Sequence, residues 1–175
     1  MTTSLARSQD IHPTLDVPRL HELIAPRAPV WTAAELRDLT ATTAEELAGP
    51  LRRLLAYTPD QRWWARIALT DEVELWLLSW LPGQGTAPHD HGGASGSFAV
   101  LEGEVAETYR YPSSPIRHRR HTAGSAIGFG AGRAHEVRNV GTAPAATVHA
   151  YSPPLVPTRE YATLADVPAE IPSLG

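Results

Sequence analysis

Apolar positions follow one period up to about residue 62 and a different one beyond it. In the first stretch Leu20, Leu23 and Ile24 share one face of a short helix that stops in the region of Pro26 and Pro29. Thr32 followed by Glu35 predicts a capping box that opens a second short helix. Thr42 and Glu45 repeat that signal. Leu47, Leu51, Leu54 and Leu55 then supply the apolar stripe of a third helix, with a kink or break expected at Pro50. Residues 1–15 carry no such pattern and are expected to fray.

From about residue 64 the pattern becomes that of strands separated by glycine and proline. "RIALT" (66–70) and "VELWLLSWL" (73–81) flank a tight turn, and "SFAVLEG" (97–103) and "EVAETYRY" (104–111) meet at Gly103 as a hairpin. "RHRRHT" is a strand or a loop. "AIGFG" (126–130), "AHEVRN" (134–139) and "ATVHAYS" (146–152) follow at short intervals. Seven or eight short strands predict a mainly β fold, an antiparallel barrel or jelly roll behind short N-terminal α-helices. The expected organisation is one domain over 1–175: a helical segment (1–62), the barrel (63–155) and a proline-rich tail (156–175) that wraps its outside.

Composition narrows the function classes. At 175 residues, 42% hydrophobic and 19% charged, the chain suits an ordinary folded core. A net charge of −4 argues against nucleic acid and anionic membranes as partners. The basic run Arg117–His121 reads as a solvated strand or hairpin tip. With no cysteine there is no disulfide framework, thiolate ligand or cysteine nucleophile, so any metal site must use histidine, carboxylate or water. The first residues lack the apolar run of a signal peptide, and a cytoplasmic location is expected. The oligomeric state is left open, a monomer included.

Candidate chemistry begins at "PHDHGG" (88–93). On an extended segment His89 and His91 project to the same side and can close on one ion; alone they read equally as a polar turn. A third ligand must come from another strand. His135 is the candidate if the 97–103 and 134–152 segments pair in one sheet. The spacing is then G-x5-H-x-H through Gly83, His89 and His91. Further on it is G-x5-G-x-G-x2-H-x3-N, through Gly124, Gly130, Gly132, His135 and Asn139. Three histidines with open positions suit iron or zinc.

These two stretches resemble the two cupin motifs, which sit on neighbouring strands of a small barrel and aim their histidines inward. Gly96 stands where many cupins carry a glutamate ligand, and Gly130 where the second motif usually has proline. Without that glutamate the chain is most similar to the thiol dioxygenases, specifically bacterial cysteine dioxygenases. The likeness spans roughly residues 64–155 and rests on "RIAL", "HDHGGASG", "VLEGEVAETYRY", "AHEVRN" and "TVHAYSPP".

The resemblance implies ferrous iron held by His89, His91 and His135, with L-cysteine and dioxygen as substrates and cysteine sulfinic acid as product. It implies that Arg66 pairs with the substrate carboxylate, as in members that use cysteine; those specialised for 3-mercaptopropionate carry glutamine there, and Gln61 and Gln84 lie nearby in sequence. Tyr151 is the implied active-site tyrosine, oriented by His149 with Thr147 behind it, and a cis Ser152–Pro153 bond is expected. Some members cross-link the tyrosine to a cysteine at the position of Gly96, which this chain cannot do. Trp63, Trp64, Trp76 and Trp80 read as core or wall residues, with Trp64 a candidate for the pocket. Two alternatives share these residues: dioxygenation of another small thiol such as 3-mercaptopropionate or cysteamine, and a non-catalytic cupin that binds a small ligand.

Overall fold

The computed structural model describes residues 9–154 and 156–170. Helices α1 (Pro18–Leu23), α2 (Ala33–Glu46) and α3 (Ala48–Leu54) precede most of the strands. The capping box forms as expected, Thr32 accepting from the Glu35 backbone while Glu35 accepts from that of Thr32. The second box does not form. Thr42 and Glu45 lie inside α2, because Leu36, Leu39, Thr40 and Thr43 continue its buried face. The break falls at Leu47, ahead of Pro50. Proline cannot donate to the Glu46 carbonyl and its ring crowds that oxygen, so α2 ends there and Pro50 takes up the first turn of α3.

Two antiparallel sheets follow. The first runs, in spatial order, β1 (Asp10–Ile11), β2 (Trp64–Leu69), β3 (Glu74–Trp80), β10 (Ala145–Ser152), β5 (Ser95–Glu102) and β8 (Ala126–Phe129). The second runs β11 (Arg159–Glu160), β4 (His89–Asp90), β9 (Ala134–Arg138), β6 (Glu104–Arg110) and β7 (Arg117–Thr122). Among the described residues no strand pairing joins the two sheets, so the architecture is a jelly-roll sandwich rather than a closed barrel.

Several expectations are corrected. The 97–103 and 134–152 segments share one sheet only in part: β10 pairs with β5, whereas β9 pairs with β4 and β6 in the other sheet. "RHRRHT" is a strand, and its His121 is buried rather than solvated. Residues 10–15 do not fray, since β1 pairs with β2 and Leu15 is buried in the core; residues 1–8 lie outside the described residues. The tail does more than wrap the outside, because β11 pairs with β4 and carries the chain past the histidines.

Alternation along the strands divides two cores. Leu75 and Leu77 of β3 and Val148 and Ala150 of β10 face the helices, packing with Leu36, Leu39 and Leu51. The intervening residues face the other sheet, where Trp80, Phe98, Val100, Val105, Phe129 and Val137 pack together. At Gly103 the β5–β6 hairpin turns with φ +74°, and a side chain there would meet the Pro144 carbonyl at 2.5 Å. No helix among the described residues is long and apolar enough to cross a membrane.

Candidate metal centre

Strand pairing assembles the three histidines. His89 of β4 lies in register opposite His135 of β9. His91 follows in a turn that Asp90, fully buried, holds by accepting from the Gly92 backbone at 2.7 Å and from the Tyr161 hydroxyl. Asp90 thus points away from the histidines on either side of it. One ring nitrogen from each of His89, His91 and His135 falls within 4.8 Å of the others, and no carboxylate joins the cluster among the described residues. The ring centroids are 4.9–5.0 Å apart.

Hydrogen bonding sets which nitrogens are available. His89 Nδ1 lies 2.8 Å from the Ala87 carbonyl, which can only accept, so the hydrogen is on Nδ1 and Nε2 keeps its lone pair. His135 repeats this arrangement, its Nδ1 donating to Glu107 Oε1 at 2.7 Å. Both ring nitrogens of His91 are buried without a hydrogen-bond partner. Burial of such a group is costly unless something binds it. Burial, and then the proximity of His135, pushes His89 down to about 4 and His91 well below its ordinary value. His89 and His91 are therefore neutral imidazoles at neutral pH, the form that binds a metal ion.

Glu107 is the functional residue that the sequence reading missed. Its side chain is fully buried, and it accepts from His135, His121 (3.1 Å) and both ends of the Arg133 fork (3.1 and 2.6 Å). Burial pushes this carboxyl up, but the hydrogen bonds from His121 and His135 and the Arg133 charge outweigh it and hold it well below the usual range. The Arg133 guanidinium in turn lies 3.5 Å from the centre of the Tyr109 ring. A signal was available in the sequence: alternation in β6 puts Glu107 on the inward face between Val105 and Tyr109.

The opposite wall comes from β3 and β10. Trp80 Nε1 donates to Thr147 Oγ1 at 2.8 Å, Thr147 Oγ1 is 2.8 Å from His149 Nε2, and His149 Nδ1 is 3.1 Å from the Tyr151 hydroxyl. An indole only donates, so the Thr147 hydroxyl proton goes on to His149 Nε2. A neutral His149 then carries its hydrogen on Nδ1 and donates to Tyr151. Burial, and then the proximity of His135, keeps His149 neutral by pushing its pKa well below the ordinary value. The Tyr151 O–H is left free to donate into the cavity, and its ring stacks on His91 with centroids 4.7 Å apart.

A cavity of about 410 Å³ joins these walls, lined by the three histidines, His149, Tyr151, Trp64, Trp76, Trp80, Arg62 and Glu74 among others. Val156 and Thr158 of the tail close one side. Trp64 lines it as anticipated, 58% exposed at the mouth. Arg66 is not brought to the cavity wall: it pairs with Asp10 of β1 at 2.9 Å, at the edge of the first sheet. Gln84 instead ties a turn, bonding the Leu81 backbone and the Thr58 carbonyl. Asn139 does likewise, donating to the Trp80 and Ala143 carbonyls. Gly96 lies in register with Tyr151, and a Cβ there would meet the Phe129 ring at 2.6 Å and the Tyr151 ring at 2.9 Å. The Ser152–Pro153 bond is cis.

The sequence profile of cysteine dioxygenase type I matches residues 18–163, most of the chain. The chain belongs to the cysteine dioxygenase type I family. No curated protein matches its sequence. Among solved structures, the TT1209 protein from Thermus thermophilus is similar at 29% identity, over 59% of this chain and 93% of that one, with a TM-score of 0.51. A conserved protein with a double-stranded β-helix domain from Klebsiella pneumoniae is similar at 19% identity, over 63% of this chain and 92% of that one, with a TM-score of 0.52. Oxalate oxidase in complex with glycolate aligns at 19% identity over 59% of this chain and 56% of its own, with a TM-score of 0.50. The last two likenesses show the fold alone, the double-stranded β-helix of cupins. In this member of the cysteine dioxygenase type I family, then, the three histidines line the cavity of the jelly roll.

Proposed function

We propose that the protein is an iron-dependent thiol dioxygenase that converts L-cysteine and dioxygen to cysteine sulfinic acid. The observation that carries this reading is the set of three converging imidazoles, two of them buried, with no carboxylate among them. Three neutral donors leave the charge of a divalent ion uncompensated, which favours an anionic sulfur ligand from the substrate. Ferrous iron held by His89, His91 and His135 would supply the centre at which a thiolate and dioxygen meet. Family membership supports the same reaction class.

The chain's own residues supply the rest. His149, held by Thr147, orients the Tyr151 phenol, which burial keeps protonated, so that its O–H donates to an oxygen of the substrate or product. Trp64, Trp76 and Trp80 exclude water from the sulfur as it is oxidised. In the net reaction the O–O bond breaks and two S–O bonds form. Sulfur gives up four electrons, dioxygen accepts them, and the thiol proton is released.

Iron-loaded protein given L-cysteine is expected to consume dioxygen and form sulfinate in equal amounts. Tight thiol binding without oxygen uptake would make it a ligand-binding cupin instead. Turnover with 3-mercaptopropionate but not L-cysteine would change the substrate and leave the class. Zinc alone in protein produced in iron-rich medium would overturn the metal assignment.

A further inference from the structure

Resting on the thiol-dioxygenase reading above, we propose that Arg62, rather than Arg66, is the specificity-determining residue that binds the carboxylate of the substrate. Arg62 stands just before β2 and forms part of the same cavity wall as His89, His91, His135 and Tyr151. Its guanidinium carbon lies over the Trp80 ring, 4.7 Å from the ring centre. Its Nε is buried without a hydrogen-bond partner, and no carboxylate ion pair to it is found among the described residues.

A guanidinium cannot shed its charge at neutral pH, so one that is half-buried, with its Nε shut off from water and unbonded, is costly to keep in place. A carboxylate delivered by the substrate removes that cost and matches the fork in geometry. Arg66 has no such need, since Asp10 already occupies it. The electrostatics agree: burial lowers the pKa of Arg62, and the Arg62 charge acts on His89, His149 and Tyr151, which places it within reach of the metal centre. Glu74 lines the cavity from β3, in register with Tyr151, so the pocket offers both signs of charge to a zwitterionic amino acid.

Zinc-loaded protein, which cannot turn over, allows binding alone to be measured by calorimetry with L-cysteine and with cysteamine, which has the same thiol and amine and no carboxylate. The wild-type protein is expected to prefer L-cysteine. Arg62→Gln is expected to reduce that preference by about 10–100-fold, the loss typical of a charged hydrogen-bonded pair. Arg62→Lys is expected to lose less, because charge remains while the fork is gone, and it serves equally if the glutamine variant folds poorly. Arg66→Gln is expected to leave the preference within about twofold of wild type.

A wild-type protein that does not prefer L-cysteine would overturn the assignment, as would a selective loss in Arg66→Gln or equal weakening of both thiols in Arg62→Gln. Oxygen uptake by the iron-loaded wild type with L-cysteine separates the two levels. If it persists while the preference test fails, the anchor is wrong and the dioxygenase reading stands.

Discussion

Glu107 Oε1 lies 2.7 Å from His135 Nδ1, while its Oε2 lies 2.6 Å from Arg133 Nη2, so one buried carboxylate orients a ring of the candidate metal centre and neutralises a buried arginine. Glu107→Gln is expected to weaken metal affinity by about 10–100-fold, measured by equilibrium titration with a competing chelator. Glu107→Ala also leaves Arg133 without its anion and is expected to cost roughly 3–5 kcal/mol in denaturant unfolding. Wild-type affinity in a folded Glu107→Gln protein would contradict the orienting role.

Metal binding to the folded chain alone must raise its melting temperature. At a free ferrous ion concentration a hundred times Kd the expected gain is about 2.7 kcal/mol, lost again on chelation. His91→Ala should fold and lose this increment, because both His91 nitrogens are without protein partners. An undiminished increment in that variant would place the ion elsewhere.

Burial, and then the neighbouring Glu74 charge, pushes the Tyr151 phenol well above its ordinary value of about 10. The folded chain therefore holds a proton that the unfolded chain has lost, and the contribution to stability is intact below pH ~10 and declines as pH rises above it. Tyr57 and Tyr161 are raised too, so the contrast with Tyr151→Phe isolates this group. Denaturant unfolding between pH 9 and 11 should give a shallower decline in Tyr151→Phe, and equal slopes would refute the prediction.

Gly96 is needed for space. Gly96→Ala is expected to cost about 1–3 kcal/mol by pressing on the Phe129 ring, and a smaller residue at 129 should recover part of it in a double-mutant cycle. A cysteine at 96 faces the same contact, so a cross-link to Tyr151 would require Phe129 to move. Strict additivity of the two substitutions would argue against direct contact.

Thr32→Ala removes the cap of α2, the helix that packs on β5, β8 and β10. A loss of about 1 kcal/mol is expected in thermal unfolding, with metal affinity unchanged.

Much of the fold could be read from local pattern. Alternation located β2, β3, β5, β6, β8, β9 and β10 to within a few residues, because each strand has one face on a core. The two-residue strands β1, β4 and β11 escaped, being too short for any period. Thr42 and Glu45 misled because a capping signal inside a helix with a continuous buried face is overridden by packing.

By itself the sequence determined the jelly-roll class and the histidine spacing, since both rest on short-range periodicity and on turns that need glycine or proline. It could not decide what those side chains meet. His89 faces His135 only because β4 pairs with β9, and Glu107 reaches the same ring only because β6 lies beyond it. Arg62 and Arg66, four residues apart and alike in chemistry, are told apart by Asp10 and Trp80, which strand pairing and packing bring to them from elsewhere in the chain. Those pairings are long-range, and their energy lies in burial and matched charge that no local stretch contains.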